Sequence, residues 1–149
     1  MDTNRIEKRI VLKATRERVW RAISDSARFG RWFGVEIDGT FLAGKEAIGR
    51  IAPTKVDPEV ARLQEPYRGT SFRWRPGAVD PAFDYSKEPM TLVTFELADA
   101  EAGTLLTITE SGFEQLPPDR RGKARDGNDA GWTHQTRLIE KYLALEEQA

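Results

Sequence analysis

Residues 91–111 read TLVTFELADAEAGTLLTITES, and this stretch decides the fold class. Apolar and polar side chains alternate on both sides of a turn at residues 99–103, which ends in glycine. Such alternation is typical of strands that bury one face, and the threonines on the other face also favour strands. The stretch therefore predicts an antiparallel hairpin with these inward-facing residues: Val93, Phe95, Leu97, Leu106 and Ile108.

The C-terminal segment carries a helical pattern instead. An apolar stripe starts at Trp132 and continues through Ile139 to Leu143, at the spacing of one helix face. The preceding residues 119–129 are polar and contain two glycines, so any helix there is expected to be weak or interrupted. The spacing predicts one long helix from about Trp132 nearly to the C-terminus.

The N-terminal part predicts one strand and two short helices. Residues 6–13 alternate as a strand does. Thr15 can cap a first helix with its hydroxyl oxygen, and Ser24-Asp25-Ser26 can cap a second helix that ends near Gly30.

Glycine and proline break the middle of the chain into short extended pieces. We expect strands at residues 35–38, 46–51, 60–64 and 70–75, followed by a long loop at residues 76–89. Because helices occupy only the two ends, the order of elements predicts an α+β protein. Its antiparallel sheet should be covered by the C-terminal helix.

Composition excludes several kinds of site. The chain has 149 residues, which is enough for a single domain spanning residues 1–149. It has no cysteine and one histidine, which excludes a thiol nucleophile and argues against a structural zinc site. That histidine, His134, is expected on the outer face of the C-terminal helix. We therefore expect no metal, no cofactor and no catalytic triad.

Charge and hydropathy bound the partners. The chain has 23 lysines and arginines against 24 aspartates and glutamates, so it lacks the basic excess of a nucleic-acid-binding protein. No apolar stretch is long enough to span a membrane, and the first residues do not resemble a signal peptide. A cytoplasmic location is expected, with which the lack of cysteine is compatible.

Glu110 is the most informative polar residue. The alternation at Leu106 and Ile108 places Glu110 on the inward face, where a carboxylate is unfavourable unless it is paired or partly hydrated. Two interpretations stay open. Either the strand ends earlier and Glu110 meets solvent, or it lies at the mouth of a cavity. There it could bind a ligand, pair with an arginine or act as a general acid or base.

Aromatic residues are candidates for the walls of such a cavity. Trp132 lies on the inner face of the C-terminal helix, and Phe72 and Trp74 share one face of a predicted strand. Each would serve either as plain core or as a wall around an apolar ligand. Phe83 and Tyr85 lie in the long loop, where they could form a lid or pin the loop to the body of the protein.

Several segments resemble one known family in their order and spacing. They are Ala14–Trp20, Asp25–Phe33, Phe72–Trp74, Thr91–Leu97, Gly103–Ile108, Ser111–Phe113 and Asn128–Trp132. The chain resembles the activator of heat-shock-protein ATPase homologue-like proteins, within the START-like (SRPBCC, birch-pollen-allergen-like) superfamily. The resemblance covers nearly the whole chain, although Arg50–Pro58 and Pro76–Pro89 match little of the pattern.

The resemblance implies a helix-grip fold, in which a curved antiparallel sheet of about six or seven strands wraps around the C-terminal helix. It also implies a cavity between sheet and helix that binds a small apolar or amphipathic molecule. We expect these residues to line it: Trp32, Phe72, Trp74, Phe83, Tyr85, Phe95, Glu110 and Trp132.

Two other functions stay open. The chain could be a cyclase-like or hydrolase-like enzyme for a hydrophobic substrate, with Glu110 as acid or base, but this requires a second polar group in the cavity. It could instead be an interaction module that activates a chaperone ATPase, through basic residues such as Arg16, Arg18 and Arg21. Whether the chain is a monomer or a homodimer is also open.

Overall fold

The computed structural model describes residues 5–34, 36–38, 48–51, 54–55, 63–65, 69–74 and 89–147. The strands are β1 (Arg5–Leu12), β2 (Glu36–Asp38), β3 (Ile48–Ile51), β4 (Thr54–Lys55), β5 (Leu63–Glu65), β6 (Gly69–Trp74), β7 (Thr91–Ala100) and β8 (Gly103–Ser111). The α-helices are α1 (Arg16–Ser24), α2 (Ser26–Phe33) and α3 (Pro118–Glu147), and a 3-10 helix at Phe113–Gln115 precedes α3.

All strand pairs in this part of the chain are antiparallel. Five strands form the main sheet in the order β1-β8-β7-β6-β5, and β2, β3 and β4 form a separate three-stranded sheet. The predicted α+β class and helix-grip arrangement are confirmed, since α3 covers the inner face of the main sheet. Within the described residues that sheet has five strands rather than the six or seven predicted, because β2, β3 and β4 pair with one another instead of joining it.

The predicted hairpin is confirmed as β7 and β8. Phe95 pairs with Ile108, and Leu97 pairs with Leu106, so the apolar side chains of both strands share one face. Gly103 starts β8 with φ +153°, and a Cβ at this position would overlap the carbonyl oxygen of Leu12. Only glycine therefore lets the turn approach the end of β1 so closely.

Both short helices begin at the predicted caps. The Thr15 hydroxyl accepts a hydrogen bond from the Arg18 backbone N–H, and the Asp25 carboxylate accepts from two backbone N–H groups at the start of α2. The prediction that the second helix ends near Gly30 is wrong by one turn. α2 continues to Phe33 and ends at Gly34, whose φ of +85° gives a left-handed C-cap. The extra turn adds Phe33 to the core.

α3 is longer than predicted. It begins at Pro118 and runs without interruption to Glu147, so the interruption allowed for at residues 119–129 does not occur. Contacts with the body of the protein offset the unfavourable glycines. Ala124 is buried, and the Arg125 guanidinium donates to the carbonyl oxygen of Arg5 in β1. No helix in the described part of the chain combines the length and hydropathy needed to cross a membrane.

The core lies between the inner face of the main sheet and the helices. The inward residues of the hairpin are all buried, as are Val19 and Ile23 of α1 and Ile139 and Leu143 of α3. Full burial of one such side chain stabilises the fold by about 1.5–3 kcal/mol. His134 is exposed, as predicted.

Candidate functional site

Glu110 lies inside the core, and its side chain is 0% exposed. β8 does not end before it, because Glu110 pairs with Val93 of β7 on one side and with Ile6 of β1 on the other. The alternation of β8 therefore continues one step beyond Ile108 and turns the carboxylate inward. The interpretation in which Glu110 meets solvent is wrong.

Four side chains donate hydrogen bonds to this carboxylate. The Trp132 indole N–H lies 2.9 Å from Oε1, and the Trp74 indole N–H lies 2.7 Å from Oε2. The Thr91 hydroxyl lies 2.5 Å from Oε2, and the Asn128 amide nitrogen lies 3.0 and 3.1 Å from the two oxygens. An indole N–H can only donate, so both oxygens of Glu110 act as acceptors. We call these five residues the Glu110 cluster.

The fold brings the donors together from three elements. Trp74 ends β6 and pairs directly with Thr91, which begins β7, so the adjacent ends of two neighbouring strands supply two donors. Asn128 and Trp132 lie four residues apart on α3 and so project from the same helix face. The Glu110 carboxylate lies between this helix face and these two strand ends. Every donor therefore belongs to a helix or a strand whose backbone is held by regular hydrogen bonds.

Aromatic rings surround the polar cluster. The Trp74 and Trp132 rings stack with centroids 5.5 Å apart and an interplanar angle of 29°. Phe33 contacts both tryptophans edge-on, at 6.0 and 5.8 Å. Phe95 lies 5.8 Å from Trp132, and Phe72 lies 5.4 Å from Trp74. In such apolar surroundings, each hydrogen bond to the carboxylate is stronger than it would be in water.

Neutral donors, rather than a cation, compensate the charge of Glu110. Among the residues that the structure describes, no lysine or arginine forms an ion pair with Glu110. Lys8 of β1 and Arg125 of α3 are directed to Asp129 instead, at 2.6 and 3.8 Å. A buried carboxylate without an ion-pair partner is costly, and its hydrogen bonds reduce that cost.

The cluster is closed on most sides. Glu110 and Thr91 are 0% exposed and Trp132 is 2% exposed, whereas Trp74, Phe33 and Asn128 are only partly buried. A molecule from solvent would therefore meet the cluster at Trp74 and Phe33. It would reach the carboxylate only by displacing one of the existing donors, since both oxygens are already occupied.

The structure assembles five of the predicted site residues around one point: Phe72, Trp74, Phe95, Glu110 and Trp132. Trp32 lies one layer away, where its indole donates to the carbonyl oxygen of Ala22 at 2.8 Å and its ring packs on Phe29 and Phe33. Phe83 and Tyr85 lie outside the described residues, as do residues 76–88 of the loop predicted at residues 76–89, so the possible lid is not described.

Sequence reasoning missed Thr91 and Asn128 of the cluster, and it missed the packing of Phe33 on the two tryptophans. Asn128 precedes Trp132 by four residues, which is a helical signal, but its segment was interpreted as a weak helix. Thr91 lies on the same face of β7 as Val93, which pairs with Glu110, so Thr91 is a diagonal neighbour of the carboxylate across the hairpin, a relation that sequence reasoning did not use. The described residues contain no group of side chains suited to hold a metal ion.

A groove lies near the C-terminal end of α3. This groove has a volume of about 380 Å³ and is lined by Leu12, Lys13, Glu140, Leu143 and Ala144. None of its lining residues belongs to the Glu110 cluster. It is therefore a separate place where a small molecule could bind, and substitutions in this groove are matched controls for binding at the Glu110 cluster.

Comparison with protein families gives one match that spans most of the chain. The family described as "Activator of Hsp90 ATPase homolog 1-like protein" matches residues 13–144. A comparison with curated proteins finds no significant match.

Solved structures with the same fold come from several bacteria. A protein from Mesorhizobium loti is 26% identical, with a TM-score of 0.76, over 94% of this chain and 96% of that one. A protein from Arthrobacter aurescens is 18% identical, with a TM-score of 0.74, over 97% and 89% of the two chains. The Aha1 dimer from Colwellia psychrerythraea is 18% identical, with a TM-score of 0.69, over 91% and 92%. The last two likenesses show the fold alone.

Proposed function

This chain belongs to the family of Activator of Hsp90 ATPase homolog 1-like proteins, and we propose that it binds a small hydrophobic or amphipathic molecule at the Glu110 cluster. One observation carries the proposal. Glu110 is fully buried among aromatic rings and has no counter-ion in the described residues. On one side, the rings that cover it are themselves partly exposed. Sites for small molecules combine apolar walls with a few fixed polar groups in this way.

Stability alone does not account for the carboxylate. Replacing buried charged groups by well-packed apolar side chains is often neutral or stabilising, so a carboxylate is a poor choice for a purely structural role. Recognition of a polar group on a ligand gives the carboxylate a role that an apolar side chain cannot fill.

Entry of the ligand requires a rearrangement at Trp74. All the hydrogen-bond donors of Glu110 in the described residues are protein side chains, and among these donors Trp74 combines a large ring with partial exposure. If its ring swings outward, a flat apolar group can take its place against Trp132. Stacking on Trp132 then replaces the Trp74–Trp132 contact, which reduces the cost of opening.

An environment-sensitive probe tests the proposal. N-phenyl-1-naphthylamine, a neutral aromatic amine, should bind saturably and fluoresce in the apolar site. In the control variant Ala144→Trp, a large side chain fills the groove near Glu140, and binding should be unchanged. Absence of saturable binding, or its loss in Ala144→Trp, would contradict the proposal. Native mass spectrometry of gently purified protein should also show a discrete added mass where a ligand co-purifies.

The enzyme alternative gains one supporting observation, because Thr91 and Asn128 converge on Glu110 as additional polar groups. Both carboxylate oxygens are already hydrogen-bonded, however, so a substrate would first have to displace a donor. Turnover of a hydrophobic substrate that is unchanged in Glu110→Gln would eliminate Glu110 as acid or base.

The interaction-module alternative relied on three arginines of α1, and the structure shows each of them engaged within the chain. Arg16 lies 3.5 Å from Asp99, Arg21 lies 3.4 Å from Glu17, and Arg18 donates to the carbonyl oxygen of Leu143 at 2.7 Å. These contacts give no specific support to a chaperone partner. The cytoplasmic location, the single domain and the choice between monomer and homodimer stay predictions.

A further inference from the structure

We propose that the ligand of the Glu110 cluster is an amphiphile with an amine head group, and that its N–H takes the place of the Trp74 indole N–H on Oε2 of Glu110. This inference rests on the proposed function and narrows it to one chemical class. It follows from the hydrogen-bond donors, the charge and the aromatic rings around the carboxylate.

The hydrogen bonds determine the polarity of the head group. Glu110 accepts from four side chains, and displacement of Trp74 removes one N–H from Oε2. A ligand that donates restores this bond. A ligand that only accepts, such as a carboxylate, ester or ether, leaves Oε2 with the Thr91 and Asn128 donors alone and places two acceptors against each other. Such a contact between two buried acceptors is costly, so the site selects for donors.

The charge determines which donors fit best. The described residues place no lysine or arginine in an ion pair with Glu110, so a negative charge is buried without a counter-ion. An ammonium group supplies both the N–H and the missing positive charge, and charge-assisted hydrogen bonds are about twice as strong as neutral ones. A carboxylate head would instead add a second negative charge inside the core.

The rings favour the same class of ligand. Phe33, Trp74 and Trp132 lie within 6.0 Å of one another around the carboxylate. When Trp74 moves outward, its former place is bordered by Trp132 and Phe33, whose π-systems attract a cation. The alkyl or aryl tail of the ligand would then lie along Phe72 and Phe95, which flank the two tryptophans.

A matched pair of ligands tests the inference. Decylamine and decanoate have tails of similar length and opposite head-group charge, and both are titrated by calorimetry below their micelle concentrations. We expect decylamine to bind at least about tenfold more tightly, as one charge-assisted hydrogen bond implies. Binding of decanoate as tightly as decylamine, or more tightly, would overturn the inference but leave the proposed function intact. Binding of neither would overturn the inference, and it would contradict the proposed function as well if N-phenyl-1-naphthylamine also failed to bind.

Two glutamate variants locate the amine. Glu110→Gln removes the buried charge, and Glu140→Gln makes the same chemical change at an exposed residue of the groove. Decylamine affinity should fall at least about tenfold in Glu110→Gln and stay unchanged in Glu140→Gln. The opposite pattern, or equal losses in both variants, would place the amine elsewhere and overturn the inference.

A third variant keeps the test decisive if Glu110→Gln does not fold. Trp74→Phe retains an aromatic ring but removes the N–H that the ligand is proposed to replace. Decylamine no longer competes with a protein donor there, so it should bind as tightly as to the wild type or more tightly. Weaker binding in Trp74→Phe would overturn the proposed exchange.

Discussion

At the scale of single residues, Glu110 shows how strictly a buried carboxylate depends on its donors. Its two oxygens accept from two indoles, one hydroxyl and one amide, and none of these donors carries a charge. Any change to the carboxylate therefore affects the hydrogen bonds of four other side chains at once.

We expect Glu110→Gln to destabilise the protein by about 2–5 kcal/mol. The glutamine amide keeps the size of the side chain but directs its own N–H groups at indole N–H groups, which leaves one or two buried donors unsatisfied, at about 1–3 kcal/mol each. Urea unfolding measures the change. Glu140→Gln is the control, and its effect at the surface should stay within about 0.5 kcal/mol. Equal stability of the two variants would show that the cluster is not formed as described.

A second comparison isolates the charged acceptor. Trp132 and Trp32 are 2% and 3% exposed, and each indole N–H donates one hydrogen bond. The acceptor is a carboxylate for Trp132 and a neutral carbonyl for Trp32. Trp132→Phe should therefore cost more stability than Trp32→Phe, by about 1 kcal/mol or more, because hydrogen bonds to charged groups are the stronger ones. A larger loss in Trp32→Phe would contradict this ranking.

At the scale of elements, α3 is held in place by contacts rather than by helix propensity. Its first half contains Gly122, Gly127 and Gly131, which are exposed and have open space where a Cβ would lie. No close approach requires these glycines. The same half carries Asn128 and Trp132, so the site is built on the part of the helix with the weakest intrinsic preference for helical structure.

Gly127→Ala and Gly131→Ala should each stabilise the protein by about 0.5–1 kcal/mol, because alanine loses less backbone entropy in a helix and meets no neighbour here. Thermal or urea unfolding measures the gain. Gly103→Ala is the same chemical change with the opposite expected sign, since its Cβ would overlap the carbonyl oxygen of Leu12. It should cost at least about 1–3 kcal/mol. Destabilisation by the two helix substitutions would mean that these glycines make contacts that the structure does not show.

At the scale of the whole molecule, the sequence was sufficient for the architecture and for part of the site. The alternation of residues 91–111 predicted the hairpin and turned Glu110 inward, and the stripe from Trp132 predicted the terminal helix. Those signals are local, so they can be read from spacing alone. A helix start at Pro117 or Pro118 was compatible with the sequence, but the continuous helix over residues 119–129 was missed because propensity disfavours it, while long-range contacts such as Arg125 to β1 support it.

The donors of Glu110 could not be predicted in the same way. Trp74 and Thr91 become neighbours through the pairing of β6 with β7, and Asn128 reaches the carboxylate only when α3 packs on the sheet. Nothing in the local sequence pattern identifies Thr91 or Asn128 as a hydrogen-bond donor to a carboxylate. The site depends on tertiary geometry, which spacing within one element does not encode.

The central claim is that a ligand binds at the Glu110 cluster, and the indole N–H signals in a proton–nitrogen NMR spectrum test it most directly. The chain has four tryptophans, so four signals are expected, and Trp→Phe variants assign them. During titration with N-phenyl-1-naphthylamine, the signals of Trp74 and Trp132 should shift, and that of Trp32, bonded to Ala22 in the core, should stay in place. Saturable binding that leaves the Trp74 and Trp132 signals unmoved would contradict the account.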